Sequence, residues 1–252
     1  MIETGGNKQE ICLLLTATIN PRDTILTERN DPAIRLADYI WAMNAWLADR
    51  NVNKIVFCEN SNSDVSSIRR LFEECERVDR QVELLSFDGQ NFDPQLGKGV
   101  GEMNIIEYVL NSSKLINENT RLVKVTGRYC SNNFGPLVRQ CDGNPSVEII
   151  CNLKKSLMVA DSRMFLGTVD FFQRFLLPRV GEIRDSEGVY FEHVLAYAIH
   201  EAIACGLKWE LPKKVIEVWG IEGSTNKPIR KHIIKSTLKR FVHQVKRKLI
   251  SL

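Results

Sequence analysis

Residues 11–21 read Ile-Cys-Leu-Leu-Leu-Thr-Ala-Thr-Ile-Asn-Pro. The run is apolar and carries β-branched residues. It is too short for a stable helix and ends on Asn20-Pro21, two strong breakers, so it predicts a buried strand. Outward from it, Asp31-Pro32 has the form of a helix N-cap followed by Pro at the first helical position. Apolar residues then recur at helical spacing over 34–47. Residues 54–58 (KIVFC) predict a second buried strand, which runs into the polar stretch Glu59-Asn60-Ser61-Asn62-Ser63. Helix is expected over 64–77, a third strand over 81–87, loop over 89–101, helix over 102–110 and a fourth strand over 121–125.

Four alternations of strand and helix imply an α/β fold: a Rossmann-type, mostly parallel central sheet flanked by helices. In such sheets the ligand lies beyond the carboxyl ends of the strands. Asn20, the stretch from Glu59, the glycine-rich Gly97-Lys98-Gly99-Val100-Gly101 and Thr126-Gly127-Arg128-Tyr129 all fall at those ends. The second half changes character. Short strands are expected over 147–152 and 157–160, a helix over 168–177, another over 191–205 and a last strand over 215–219, giving a mixed sheet. Residues 229–252 carry an apolar stripe (Ile234, Leu238, Phe241, Val242, Val245, Leu249) that predicts a C-terminal amphipathic helix.

Composition narrows the function classes. The chain has 252 residues, 44% hydrophobic and 26% charged, as ordinary globular domains do. No apolar run approaches the ~20 residues that span a bilayer. The opening MIETGGNKQE lacks the basic and apolar regions of a secretory signal, so none is expected. Seven cysteines with no C-x-x-C pair argue against a zinc ribbon or a disulfide scaffold and for reduced thiols in a cytoplasmic protein. The formal net charge of +3 is unevenly spread: nine Lys/Arg and no Asp/Glu stand from Lys227 onward, leaving 25 basic against 31 acidic residues before it. Such a tail points to an anionic partner.

Several motifs carry chemistry, each beside a plainer reading. In 97–101, glycines such as Gly99 let backbone amides approach a phosphate while Lys98 adds charge; the alternative is a turn with a solvated lysine. The order of residues fits neither a Walker A loop nor a dinucleotide fingerprint. Asp161-Ser162-Arg163 follows an apolar run. An acidic motif there holds a divalent metal against a diphosphate, or its Arg163 neutralises phosphate directly; a turn Asp beside a surface Arg is the alternative. Glu192, at a predicted helix start, is either a general base or a first-turn carboxylate favoured by the helix dipole. Lys124 and Arg128 offer cations at the end of the fourth strand; the alternative for Lys124 is a satisfied lysine at the edge of the core, and Arg128, after a glycine, suits an anion better.

Taken in order, LLTATINP, FCENS, GKGVGE, KVTGRY, ADSRMF with GTVDFF, and YFEHVLA resemble a bacterial surface-polysaccharide glycosyltransferase with a GT-A-like fold. The resemblance runs from about residue 11 to 205. It implies one glycosyltransferase domain over 1–226, with a nucleotide-binding half over 11–130, an acceptor half over 131–226 and the basic helix over 227–252. It implies transfer of a sugar from a nucleotide-sugar to a glycan or lipid-linked acceptor in capsule or O-antigen synthesis, with inversion. Thr16, Thr18, Asn20, Glu59 and Asn60 would face the nucleotide. Lys98 would approach the diphosphate or the sugar, Glu192 would be the base, and Asp161 would stand where such enzymes hold Mn²⁺ or Mg²⁺. Arg163 departs from that metal motif, which puts metal dependence in question. The basic tail would hold the enzyme at the inner face of the cytoplasmic membrane; the alternative is a helix that packs its apolar stripe on the body and leaves its charges in solvent. A sugar nucleotidyltransferase is the alternative enzyme, and a nucleic-acid or anionic-surface binding module the alternative outside enzymes. The first needs a glycine-rich basic loop after the first strand, where 16–23 has no glycine.

Overall fold

The computed structural model describes residues 10–75, 80–229 and 242–248. Strand β1 (Ile11–Ala17) is an interior strand of a seven-stranded sheet, third from one edge. Around it stand α1 (Pro32–Ala48), β2 (Lys54–Glu59), α2 (Ser66–Cys75), β3 (Gln81–Ser86), α3 (Lys98–Ser112) and β4 (Arg121–Thr126). The second half adds α4 (Phe134–Gly143), β5 (Ile149–Ile150), β6 (Leu153–Lys154), β7 (Val159–Ala160), β8 (Met164–Thr168), α5 (Val169–Phe171), α6 (Phe191–Ala204) and β9 (Trp209–Glu210). The strand order is β3-β2-β1-β4-β8-β5-β9. β1 pairs in parallel with both β2 and β4, whereas β8 is inserted antiparallel between β4 and β5. The fold is therefore mixed α/β with a mostly parallel central sheet and helices on both faces.

The apolar run 11–17 has this place because a central parallel strand is buried on both sides. Cys12 and Leu14 enter the core packed by α3 and α6, while Leu13, Leu15 and Ala17 enter the core packed by α1. The period of two repeats in β4, where Val123 and Val125 face the α1 side. It carries Lys124, fully buried, to the opposite face beneath α3 and α6. α1 starts as its sequence demands: the Asp31 carboxylate accepts from the backbone N–H groups of Ala33 and Ile34, and Pro32 follows.

Several expectations are corrected. The stretch 97–101 is the first turn of α3 and not loop, because Gly97, at φ 85°, turns the chain directly into the helix. The strand expected over 215–219 reduces to a bridge between Trp219 and Cys130, and the sheet edge is supplied by Trp209–Glu210. The strands expected over 147–152 and 157–160 shorten to two residues each. The second closes a separate hairpin whose loop holds Lys155, Ser156 and Leu157 at positive φ. The helix expected over 168–177 is three α-helical residues that widen into a π turn, Phe172–Leu176, and then tighten to a 3₁₀ turn, Leu177–Glu182. β8 and α4 were not anticipated. The end of the helix expected over 64–77 and most of the amphipathic helix expected over 229–252 lie outside the described residues; 242–248 is helical.

Candidate active site

The strands succeed one another from β1 toward β3 on one side and restart at β4 on the other. The carboxyl ends of β1 and β4 therefore diverge into a crevice at the point where the order reverses. A cavity of about 230 Å³ occupies that position. β1 supplies Thr16 and the loop after it Thr18; the end of β4 supplies Thr126, Arg128 and Tyr129. α1 contributes Arg35 and Tyr39, α3 Lys98 and Glu102, the turn before β8 Ser162 and Arg163, and the first turn of α6 Glu192. Glu222, Gly223 and Ser224 complete the wall.

The loop after β1 is held from behind. The fully buried Glu59 carboxylate accepts the backbone N–H of Ile19 at 3.0 Å and of Ser61 at 2.9 Å. Asn60 accepts the Thr18 hydroxyl at 2.7 Å and donates to the Gly101 carbonyl at 2.9 Å, joining that loop to the first turn of α3. Asn20 is exposed, and its N–H donates to Ser61. Arg35 donates to the Thr18 carbonyl at 2.7 Å, and the Tyr39 hydroxyl, accepting the Thr18 N–H at 2.9 Å, fixes the same residue. Among the sequence-predicted residues, Thr16, Thr18, Lys98, Arg128, Arg163 and Glu192 thus meet on one cavity. Glu59, Asn60 and Lys124 lie behind it. Asn20 and Asp161 are not on its wall, nor is Gly99, where a Cβ would meet Phe191 at 3.1 Å: this glycine lets α3 pack on α6.

Charges beneath the cavity form a chain. Lys124 Nζ is ion-paired with Glu102 and donates to the Ser162 carbonyl at 3.0 Å. Glu102 Oε1 also accepts the Thr16 hydroxyl at 3.1 Å. Ser162 Oγ in turn donates to Glu192 Oε1 at 2.7 Å. Three carboxylates line the cavity, Glu102, Glu192 and Glu222, and the first two are unlike each other. Glu102 is neutralised by a buried ammonium, whereas Glu192 receives one hydroxyl donor, and no described residue donates to its Oε2.

On the far side of Ser162, both Asp161 oxygens are taken. Arg163 Nε and Nη2 each donate at 2.7 Å, and Lys154 Nζ donates at 2.6 Å. Burial opposes ionisation of this 4% exposed carboxyl, but the two cations prevail and hold it at about 2. The sequence reads Asp161 as a ligand for Mn²⁺ or Mg²⁺, and the residues present do not fit one. A hard divalent cation wants several free oxygen donors, and here a guanidinium and an ammonium stand where it would sit. Among the described residues no group of three His, Cys, Asp or Glu side chains converges on a point.

Arg128 is 7% exposed and lies 5.9 Å from the centroids of both the Tyr39 and the Tyr129 ring, with no partner for its buried Nε among the described residues. Asp185 is 3% exposed, and among the described residues neither of its oxygens has a hydrogen-bond partner. It abuts Gly97, where a Cβ would fall 2.1 Å from its Oδ2. Burial, and to a lesser extent Glu192, push the Asp185 carboxyl up to about 6 although Lys98 opposes the shift. Sequence reasoning passed over Arg35, Tyr39, Glu102, Ser162 as a hydrogen-bond donor, and Glu222. The legible signal for the first two was an i, i+4 pair, Arg35 and Tyr39, on one side of α1.

No family model matches the chain, and a search of curated proteins finds no match. Among solved structures, it is similar to a 4-diphosphocytidyl-2C-methyl-D-erythritol synthase at 12% identity and TM-score 0.44, covering 94% of this chain and 99% of that one. The corresponding synthase from Anaerococcus prevotii DSM 20548 gives 8% identity and TM-score 0.43, covering 94% and 97%. Mouse xyloside xylosyltransferase 1, in its apo form, gives 12% identity and TM-score 0.40, covering 80% and 84%.

Proposed function

We propose that the chain is a glycosyltransferase that moves a sugar from a nucleotide-sugar to a glycan or lipid-linked acceptor, with inversion, and that residues 1–226 act as one GT-A-like domain. The observation that carries the reading is the pairing, on one cavity, of the cations Lys98, Arg128 and Arg163 with the carboxylate Glu192. A departing nucleoside diphosphate needs positive charge fixed in advance, and an attacking hydroxyl needs a base. In this scheme Arg128 and Arg163 hold the diphosphate and Lys98 the sugar or the distal phosphate. Glu192 takes the acceptor O–H proton. The acceptor oxygen bonds to the anomeric carbon on the face opposite the leaving group, and the bond from that carbon to the phosphate oxygen breaks with its electrons leaving on the diphosphate. The tie between Arg163 and Asp161 supports a cationic leaving-group site in place of a metal one.

The loop after β1 favours this reading over nucleotidyl transfer. From Thr18 to Asp31 it has no glycine, so its amides have no glycine turn with which to cradle a triphosphate. Capsule or O-antigen synthesis, and attachment of residues 227–252 to an anionic inner membrane face, are the setting that the sequence resemblance and the basic tail support. Among the described residues no helix is long and apolar enough to cross a membrane.

A thermal-shift panel of nucleotides and nucleotide-sugars tests the assignment, because a ligand bound only by the folded chain raises its melting temperature. Stabilisation by one nucleoside diphosphate and its sugars, equal in EDTA and in Mn²⁺, is expected; a panel with no stabilising member overturns the reading. Flotation with anionic vesicles, compared with a chain ending at residue 226, tests the tail.

A further inference from the structure

We infer that Ser162 is a positioning residue for Glu192, converting what looks in sequence like a metal motif into a support for the base. This rests on the reading of Glu192 as the proton acceptor. The Ser162 hydroxyl donates to Glu192 Oε1 at 2.7 Å, a hydrogen bond that fixes the carboxylate's rotamer. Glu192 lines the cavity, and among the described residues none donates to its Oε2.

A donor positions only as well as it is itself held, and Ser162 is held on every side. It is 5% exposed. Its carbonyl accepts the Lys124 ammonium at 3.0 Å. On one flank the Asp161 N–H donates to the Asn152 carbonyl at 2.9 Å, and on the other the Arg163 carbonyl accepts the Thr126 N–H at 3.2 Å. Lys124 also lies 5.5 Å from the centroid of Phe191, the residue before Glu192. One buried ammonium therefore braces both the donor turn and the start of the helix that carries the acceptor. Asp161 spends its charge on Arg163 and Lys154, so the middle residue of the triplet is the one turned toward the reaction centre.

The test reads Glu192 directly and needs no substrate. In the full chain labelled with ¹³C at the glutamate side-chain carboxyl, the resonance lost in Glu192→Gln is assigned. At one fixed pH, Ser162→Ala is expected to shift that resonance while the other glutamate resonances keep their places, because the carboxylate loses its donor. Ser162→Cys, which keeps the volume but donates weakly, is expected to shift it in the same direction. An unmoved resonance in either folded variant overturns the inference. A chain that bound no nucleotide at all would still return this spectrum, so the two readings fail separately.

Discussion

Arg163 grips Asp161 through two parallel hydrogen bonds of 2.7 Å, two residues away along the same tight turn. The pair leaves Asp161 no oxygen to give a metal and holds Arg163 toward the cavity. The expected consequence is that Arg163→Ala weakens nucleoside diphosphate binding by ten- to a hundredfold, about 1.4 to 3 kcal/mol, as loss of a charged contact does. Isothermal titration of the nucleotide found by the thermal-shift panel checks this. Equal affinity in the variant, or a requirement for Mn²⁺ in the wild type, would remove Arg163 from the leaving-group site.

The same pair fixes a pH response. The folded Asp161 carboxyl sits at about 2, below its ordinary 3.8. It therefore contributes stability above pH 4 that is lost as the pH falls toward 2, on the order of 2 kcal/mol in all. Urea unfolding of the wild type and Asp161→Asn at pH 6 and pH 3 measures it. The gap between the two proteins should narrow at the lower pH; a constant gap would show that the ionised form is not favoured by folding.

Asp185 shifts the opposite way and gives the opposite sign. Its carboxyl is raised from 3.8 to about 6 in the folded chain. The folded state thus holds the proton more tightly than the unfolded one, so stability is lost as the pH rises from 4 through 6. Asp185→Asn removes the charge and is expected to stabilise the chain at pH 8 by up to about 3 kcal/mol, with little effect at pH 4. Equal denaturation midpoints at pH 8 would contradict it.

Much of this arrangement was legible in the chain itself, and the part that was not has a physical reason. β1 and β2 carry apolar residues on both faces and run into polar or breaking residues, and β4 carries an apolar core of Leu122, Val123 and Val125 before Thr126-Gly127, so their burial follows from pattern. β8 (MFLGT) follows a polar turn and holds only five residues; its antiparallel insertion is a choice of partner, which period alone does not encode. Gly97 and Gly99 looked alike as phosphate glycines. One is needed for its φ of 85° against Asp185, the other for contact with Phe191, and both needs arise from segments some ninety residues away. Lys124 reads in sequence as a cation at a strand end or a satisfied lysine at the edge of the core; which partners satisfy it is not legible there, because Glu102 and Ser162 come from other elements.

Lys124 and Glu102 form an ion pair whose ammonium is wholly removed from solvent. Removing one member strands the other, so Lys124→Met is expected to cost about 3 to 5 kcal/mol. Replacing both, Lys124→Met with Glu102→Gln, should recover most of that loss. Equilibrium unfolding of the four proteins of this cycle measures the coupling. Additive losses would mean that the pair does not interact in the folded chain.

Glu192 lines the cavity and takes its hydrogen bond from a hydroxyl, and the prediction for it separates binding from chemistry. Glu192→Gln keeps the size and the hydrogen bond from Ser162 but cannot take a proton. Nucleotide affinity should be unchanged, while transfer falls by about a hundred- to ten-thousandfold, the range that general base catalysis supplies. Glu102→Gln should show a different pattern: it strands Lys124, so the loss appears in stability before it appears in rate. Single-turnover transfer from the stabilising nucleotide-sugar, set beside the melting temperature of each variant, distinguishes them. Full activity in folded Glu192→Gln would move the base elsewhere on the cavity wall and with it the assignment of the acceptor side.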